Sequence, residues 1–202
     1  MLNQTTTQGR QATAARARAA CRGWRAGLVS LALLAGGGLG LAQSGTAPKF
    51  SEYEVKAAFL LNFLQFVETP ASVATNTGMP VVIGVLGDYP FGTALDDTIK
   101  DENVQGHPLK IRRARQVAEV KDCQLVFICR SEKARVKEIL NALHGSCALT
   151  VSDVEQFCQY GGMIGLISAG GRIRFEINQE AAEQSNVKIS SKLLRLARPT
   201  NK

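Results

Sequence analysis

The chain is poor in the residues on which most active sites are built. Its 202 residues include only two histidines, His107 and His144. A nucleophile triad or a histidine-rich metal centre has little to draw on. No Cys-x-x-Cys spacing occurs, so zinc is a weak use for the cysteines. The glycines form neither Gly-x-Gly-x-x-Gly nor a Gly-Lys-Ser/Thr loop. Where a nucleotide loop would follow the first apolar strand, the sequence reads Gly87-Asp-Tyr-Pro-Phe-Gly92. Pro90 removes a backbone N–H and Asp88 adds a repelling charge, the reverse of what cradles phosphate. No cofactor is expected. A long apolar run is also missing. The longest candidate, Leu28–Ala35, falls short of the roughly 20 residues a span needs, and Gly36–Gly38 interrupts it.

That short run has another use. Arg10, Arg16, Arg18, Arg22 and Arg25 precede it, and Gly40-Leu-Ala42 supplies small residues after it. Charge, apolar core and small-residue site are the pattern of a secretory signal peptide, with a membrane anchor as the competing reading. Residues 1–42 are therefore expected to be removed, leaving 43–202 as one exported, periplasmic domain. The charge balance changes with them. The full chain carries 24 basic and 17 acidic residues, net +7. Five arginines and no acids lie in the leader, so the remainder stands at 19 against 17, or +2. The basic balance reports the leader, and no nucleic-acid partner is implied. The cluster Lys110, Arg112, Arg113, Arg115 lacks interleaved aromatics and reads as a solvated strand.

Periodicity organises the rest. Ser51-Glu-Tyr-Glu54 has the form of a capping box and opens a helix to about Val67, apolar around most of its girth; Pro70 closes it. Residues 71–79 read as a loop. Val81–Leu86 is a continuous apolar run, the mark of a strand covered on both faces. Strands over Leu109–Ala114, Gln124–Cys129 and Cys147–Val151 alternate with short helices near 93–99, 114–120 and 132–143, the last capped by Ser131. Met163–Ser168 and Arg172–Ile177 flank Ala169-Gly170-Gly171, a hairpin signal. A last helix covers Lys192–Ala197. The fold class is α/β: a mostly parallel sheet flanked by helices, ending in an antiparallel C-terminal hairpin.

Candidate chemistry is sparse. Ser152-Asp153 follows the fourth strand, where α/β sites often sit, but both residue types also cap helices. Glu176 stands alone, with Arg174 and Arg172 on its face by strand alternation. Cys123, Cys129, Cys147 and Cys158 remain after the leader, and an even number in an exported chain suggests two disulfides. If strands three and four are parallel neighbours, their starts bring Cys123 to Cys147 and their ends Cys129 to Cys158. Cys147–Cys158 stays open as a rival.

The ordered segments "EVKAAFLLNFLQFVETP", "VVIGVLGDYPFG", "DCQLVFICRSE", "LTVSD", "GGMIGLI" and "RFEINQEAAEQSNVKISSKLLRLA" resemble the YfiR family. The stretch Val67-Glu-Thr69-Pro70 departs from it, since relatives often carry Trp before Pro. The resemblance implies a periplasmic, non-catalytic repressor. Its expected partner is an inner-membrane diguanylate cyclase of YfiN type, with an outer-membrane lipoprotein of YfiB type able to sequester it. Repression would lower cyclic di-GMP and restrain biofilm formation, with disulfide state as a redox control. A homodimer has room in this scheme. Ile164, in Gly-Gly-Met-Ile, and Glu176, in Phe-Glu-Ile-Asn, match positions that bear on repression and are the implied partner contacts. A ligand-binding component of a sensor kinase or outer-membrane receptor system is the alternative. A hydrolase built on Ser152 and Asp153 is a third.

Overall fold

A computed structural model of the chain describes residues 50–68 and 79–199. The signal-peptide reading, Pro70 and the loop over 71–78 lie outside the described residues.

Helix α1 spans Glu52–Phe66 and starts as expected: the Ser51 hydroxyl accepts from the Glu54 N–H, and the Glu54 carboxylate accepts from the Ser51 N–H. Lys56, Ala57, Leu60, Phe63 and Leu64 are buried, while Ala58, Asn62 and Gln65 are exposed. The helix ends at Phe66 rather than running toward Pro70, because Val67–Glu68 is strand β1. It pairs with a strand from the far end of the chain.

The sheet follows the apolar runs. Strands β2 (Val81–Leu86), β3 (Asn103–Val104), β4 (His107–Ala114), β5 (Leu125–Ile128), β6 (Leu149–Ser152), β7 (Ile164–Ala169) and β8 (Arg172–Ile177) form seven strands in the order β3-β4-β2-β5-β6-β7-β8. The four pairings from β4 to β7 are parallel. The short β3 adds antiparallel to β4, and β8 adds antiparallel to β7. Parallel neighbours need crossovers, and these supply the flanking layers. α1 and α2 (Ala94–Ile99) cover one face. A 3-10 turn at Val117–Val120 and helix α3 (Val136–Leu143) cover the other.

Two apolar layers result. One packs Leu60, Phe63, Ile83, Val85, Phe127, Val151, Ile164 and Phe175 beneath α1. The other packs Leu86, Val126, Ile128, Val136, Ile139 and Phe157 beneath α3. Alternation along β5 shows the division: Leu125 and Phe127 belong to the first, Val126 and Ile128 to the second. A separate ladder joins β1 to β9 (Lys188–Ile189), between helices α4 (Gln179–Gln184) and α5 (Ser191–Leu196).

Two capping expectations change. Ser131 lies within a 3-10 stretch, Arg130–Arg135, and its hydroxyl accepts from the Asp88 N–H across the sheet instead of capping α3. Asp153 caps nothing. It is buried against α1.

Candidate functional site

The carboxyl ends of the parallel strands are filled by the protein's own side chains. At β2, a side chain on Gly87 would meet the Ser131 hydroxyl at 2.5 Å and Glu132 at 2.9 Å. At β6, Ser152 donates to the Ile128 carbonyl and accepts from the Val154 N–H, so its hydroxyl is engaged in holding backbone. Asp153 takes Lys56 of α1 as partner, Nζ to Oδ2 at 2.5 Å, with side-chain exposures of 0% and 1%. Around that pair, Glu52 lies 2.5 Å from the same ammonium, and the Tyr53 hydroxyl donates to Asp153 at 3.1 Å. Arg130 donates to the Asp153 carbonyl at 3.2 Å. Burial, then the Asp153 charge, pushes the Tyr53 phenol up to about 12. Burying such charges is tolerable only with partners in place. The cluster clamps the first turns of α1 to β6, and through a Ser168–Glu52 hydrogen bond of 2.8 Å to β7.

The hairpin carries the two residues implied by resemblance, and the structure treats them differently. Ile164 is fully buried in the layer beneath α1. A direct apolar contact with a partner calls for a surface side chain, whereas this one is packed in the core. Glu176 is half-buried on the opposite face of β8 and pairs in register with Gly165. A side chain on Gly165 would sit 3.0 Å from Glu176 Oε1 and 3.1 Å from its Cγ. Glycine at 165 therefore lets the Glu176 chain lie over β7.

Beneath Glu176 lies Cys158, its thiol 3.8 Å from the Met163 carbonyl and 3.7 Å from the Glu176 carbonyl. Burial, then the Glu176 charge, pushes that thiol up to about 12. All four cysteines of the described domain are free thiols here. Cys129 packs in the layer beneath α1, whereas Cys158 sits beside Gly165 and Glu176 on the other face. The structure does not bring that pair together, because the residues expected at neighbouring strand ends face opposite sides of the sheet. Cys147 precedes β6 and Cys158 follows it, so the rival pair lies at opposite ends of one strand. Cys123 and Cys147 do precede neighbouring strands, in step with the Leu125–Leu149 register. Cys147 is exposed, and the Cys123 sulfur leans over Gly84 of β2, within 3.0 Å of where its Cβ would stand.

The three arginines of the basic cluster, two on β4 and one just after it, each pair with a carboxylate of the protein. Arg112 pairs with Asp122, Arg113 with Asp96 at 3.0 Å, and Arg115 with Asp88 at 2.5 Å. Among the described residues, no group of three or more His, Cys, Asp and Glu is placed to hold a metal. No helix there is long and apolar enough to cross a membrane. Sequence reasoning missed Lys56. The available signal was a lone cation, four residues after Glu52, in a helix otherwise apolar around its girth.

A family model described as YfiR/HmsC-like matches residues 53–198, which takes in every strand from β1 to β9. The chain belongs to the YfiR/HmsC-like family. That family is regulatory rather than catalytic, periplasmic in general, and tied to diguanylate cyclase systems. Among solved structures, the crystal structure of a conserved domain protein from Vibrio cholerae O1 biovar El Tor is similar at 15% identity and a TM-score of 0.49. The match covers 76% of this chain and 61% of that one.

Proposed function

We propose that this YfiR/HmsC-like protein is a periplasmic repressor that binds the sensor domain of an inner-membrane diguanylate cyclase, lowering cyclic di-GMP and biofilm formation. The observation that carries this reading is the family match across the whole described domain. The geometry agrees with it. Strand ends where an α/β enzyme would hold substrate are packed with Ser131, Glu132 and the Lys56–Asp153 pair. Glu176 is the half-buried carboxylate of the hairpin, on the face of β8 turned away from α1. A regulator works by binding one state of its target more tightly than another, which asks for a surface and not a pocket. Ile164 contributes from the core by fixing β7, and Glu176 contributes a charged contact that governs partner choice. An outer-membrane lipoprotein that sequesters the repressor completes the scheme.

Deleting the gene in a strain that expresses the partner cyclase should raise cyclic di-GMP, and complementation should restore it. Unchanged levels with the cyclase present would refute the assignment. In a pull-down with the cyclase sensor domain, Glu176→Lys should lose binding while keeping a wild-type melting curve. Retained binding would return Glu176 to the plain surface.

A further inference from the structure

The described arginines fall into two groups. Arg112, Arg113, Arg115, Arg130 and Arg135 each face a carboxylate within the protein. Arg172, Arg174, Arg195 and Arg198 face none among the described residues, and all four are exposed. Three of the second group belong to β8 or to its edge. Arg172 and Arg174 lie on β8, the edge strand of the seven-stranded sheet. Arg198 forms a bridge beside Glu176, its N–H donating to the Phe175 carbonyl. Arg195 lies on the helix that leads into that bridge, α5.

The main chain of β8 adds direction to the charge. Since the Phe175 carbonyl points away from β7 toward Arg198, the two-residue period turns the N–H and C=O of Ile173 the same way. Arg198 pairs beside Glu176, and among the described residues the main chain of Ile173 has no partner on that side. Phe175 and Ile177 pack beneath α1, with Ile173 against the same layer. Arg172 and Arg174 therefore project from the other face, where Glu176 also lies but is folded over Gly165, out of ion-pair reach of either.

We infer that the open edge of β8 is the docking strand for an extended segment of a partner protein in which acidic residues alternate with apolar ones. Main-chain hydrogen bonds to Ile173 supply the pairing, as in strand addition generally. At Ile173, carboxylates on one face of the added strand meet Arg172 and Arg174 through charge-assisted, fork-shaped contacts, short of the position that Arg198 covers beside Glu176. Apolar residues on its other face extend the layer against which Ile173 packs. The same arginines deter a second copy of this chain from pairing edge to edge, since like charges would oppose. An open edge and repelling charge together select a strand of opposite sign. This inference rests on β8 being the partner-facing strand of the proposed repressor, and it names the chemistry of what that strand receives.

The test uses synthetic peptides of about eight residues, a usual strand length, and the protein as processed. A fluorescent peptide alternating Glu with Val and Thr should bind, and raising salt should weaken it. The same peptide with Lys for Glu should bind at least tenfold more weakly. A Glu-bearing peptide of equal charge with central prolines, which cannot pair with the edge, should also lose at least tenfold. Arg172→Glu/Arg174→Glu should abolish binding with an unchanged melting curve, and Arg113→Glu on β4 should leave it intact. Equal binding of the proline peptide would overturn strand pairing. Binding to phosphatidylglycerol vesicles but not to the peptide would overturn the protein partner in favour of a lipid surface. Repression of the cyclase is read separately. Peptide binding without repression would fault the proposed function alone, and repression that survives the double arginine variant would fault this inference alone.

Discussion

Lys56 on α1 and Asp153 after β6 form an ion pair with Nζ 2.5 Å from Oδ2, and both side chains are cut off from solvent. Asp153 Oδ1 is buried with no hydrogen-bond partner of its own, so Lys56, Tyr53 and Arg130 all bear on Oδ2, with the ammonium nearest. Removing one member of such a pair leaves an uncompensated charge and costs about 3–5 kcal/mol, whereas replacing both with apolar groups is often neutral. Lys56→Met should therefore destabilise the domain by about that amount in urea unfolding. Lys56→Met/Asp153→Leu should recover most of the loss. Single and double variants that are equally unstable would show that the two residues do not act as a pair.

The turn after the 3-10 stretch at Phe157–Tyr160 is packed without slack. A side chain on Gly162 would stand 2.1 Å from Phe157 Cε1 and within 2.5 Å of two further ring carbons. Phe157 is fully buried in the layer beneath α3 and has nowhere to retreat. Gly162→Ala should cost about 1–3 kcal/mol, the usual range for overpacking, seen as a lowered melting temperature. Phe157→Leu should be less harmful in the Gly162→Ala background than in the wild type. If the two losses simply add, the close approach does not govern this turn.

Much of this architecture was legible in the chain because the signals are local. Ser51 and Glu54 announce the start of α1. The unbroken run Val81–Leu86 announces a strand covered on both faces, and Ala169-Gly170-Gly171 announces the hairpin. What stayed hidden depends on contacts between distant residues. Lys56 and Asp153 are 97 positions apart, and nothing in either neighbourhood names the other. β1 and β9 are two-residue strands that form only by pairing with each other, Val67 with Ile189 and Glu68 with Lys188. Ser131 has the look of a cap, but the Asp88 N–H, in the bend after β2, claims its hydroxyl. The cysteine pairing was drawn from strand order alone. Strand order fixes which residues are neighbours along an edge; it does not fix the face each sulfur takes, and Cys129 packs beneath α1 while the 3-10 stretch at Phe157–Tyr160 carries Cys158 to the other side.

The cysteines differ sharply in reach. Burial pushes the Cys123 thiol up to about 11 and those of Cys129 and Cys158 up to about 12, while Cys147 is exposed. The thiolate is the reactive form. Brief alkylation of the reduced, folded protein at pH 8, mapped by peptide mass, should mark Cys147 and spare the other three; unfolding in urea should expose all four. We further propose that mild oxidation of the folded protein joins Cys123 to Cys147, after the Cys123 sulfur swings from over Gly84. Cys129 and Cys158 should remain thiols. A Cys129–Cys158 peptide on non-reducing mapping would contradict the placement of those sulfurs on opposite faces.

Acid should loosen the α1 clamp through Glu52. The Lys56 ammonium, then the Ser168 hydroxyl, holds the Glu52 carboxyl below its ordinary value of 4.5. A carboxyl whose value is lower in the folded state binds its proton more readily when unfolded. Its stabilising share is thus complete above 4.5 and is lost as the pH falls through the folded value. Glu52 is 40% exposed at its side chain, so solvent screens the effect and the share is small. Glu52→Gln should lower stability slightly near neutrality, and its curve should converge on the wild type as the pH drops below 4.5. Ser168→Ala should shift the wild-type acid limb in the same direction by a smaller amount, since it removes only the second of the two contacts. Urea titrations across this range supply the measurement, and curves that stay parallel down to the acid limit would show that Glu52 does not couple α1 to pH.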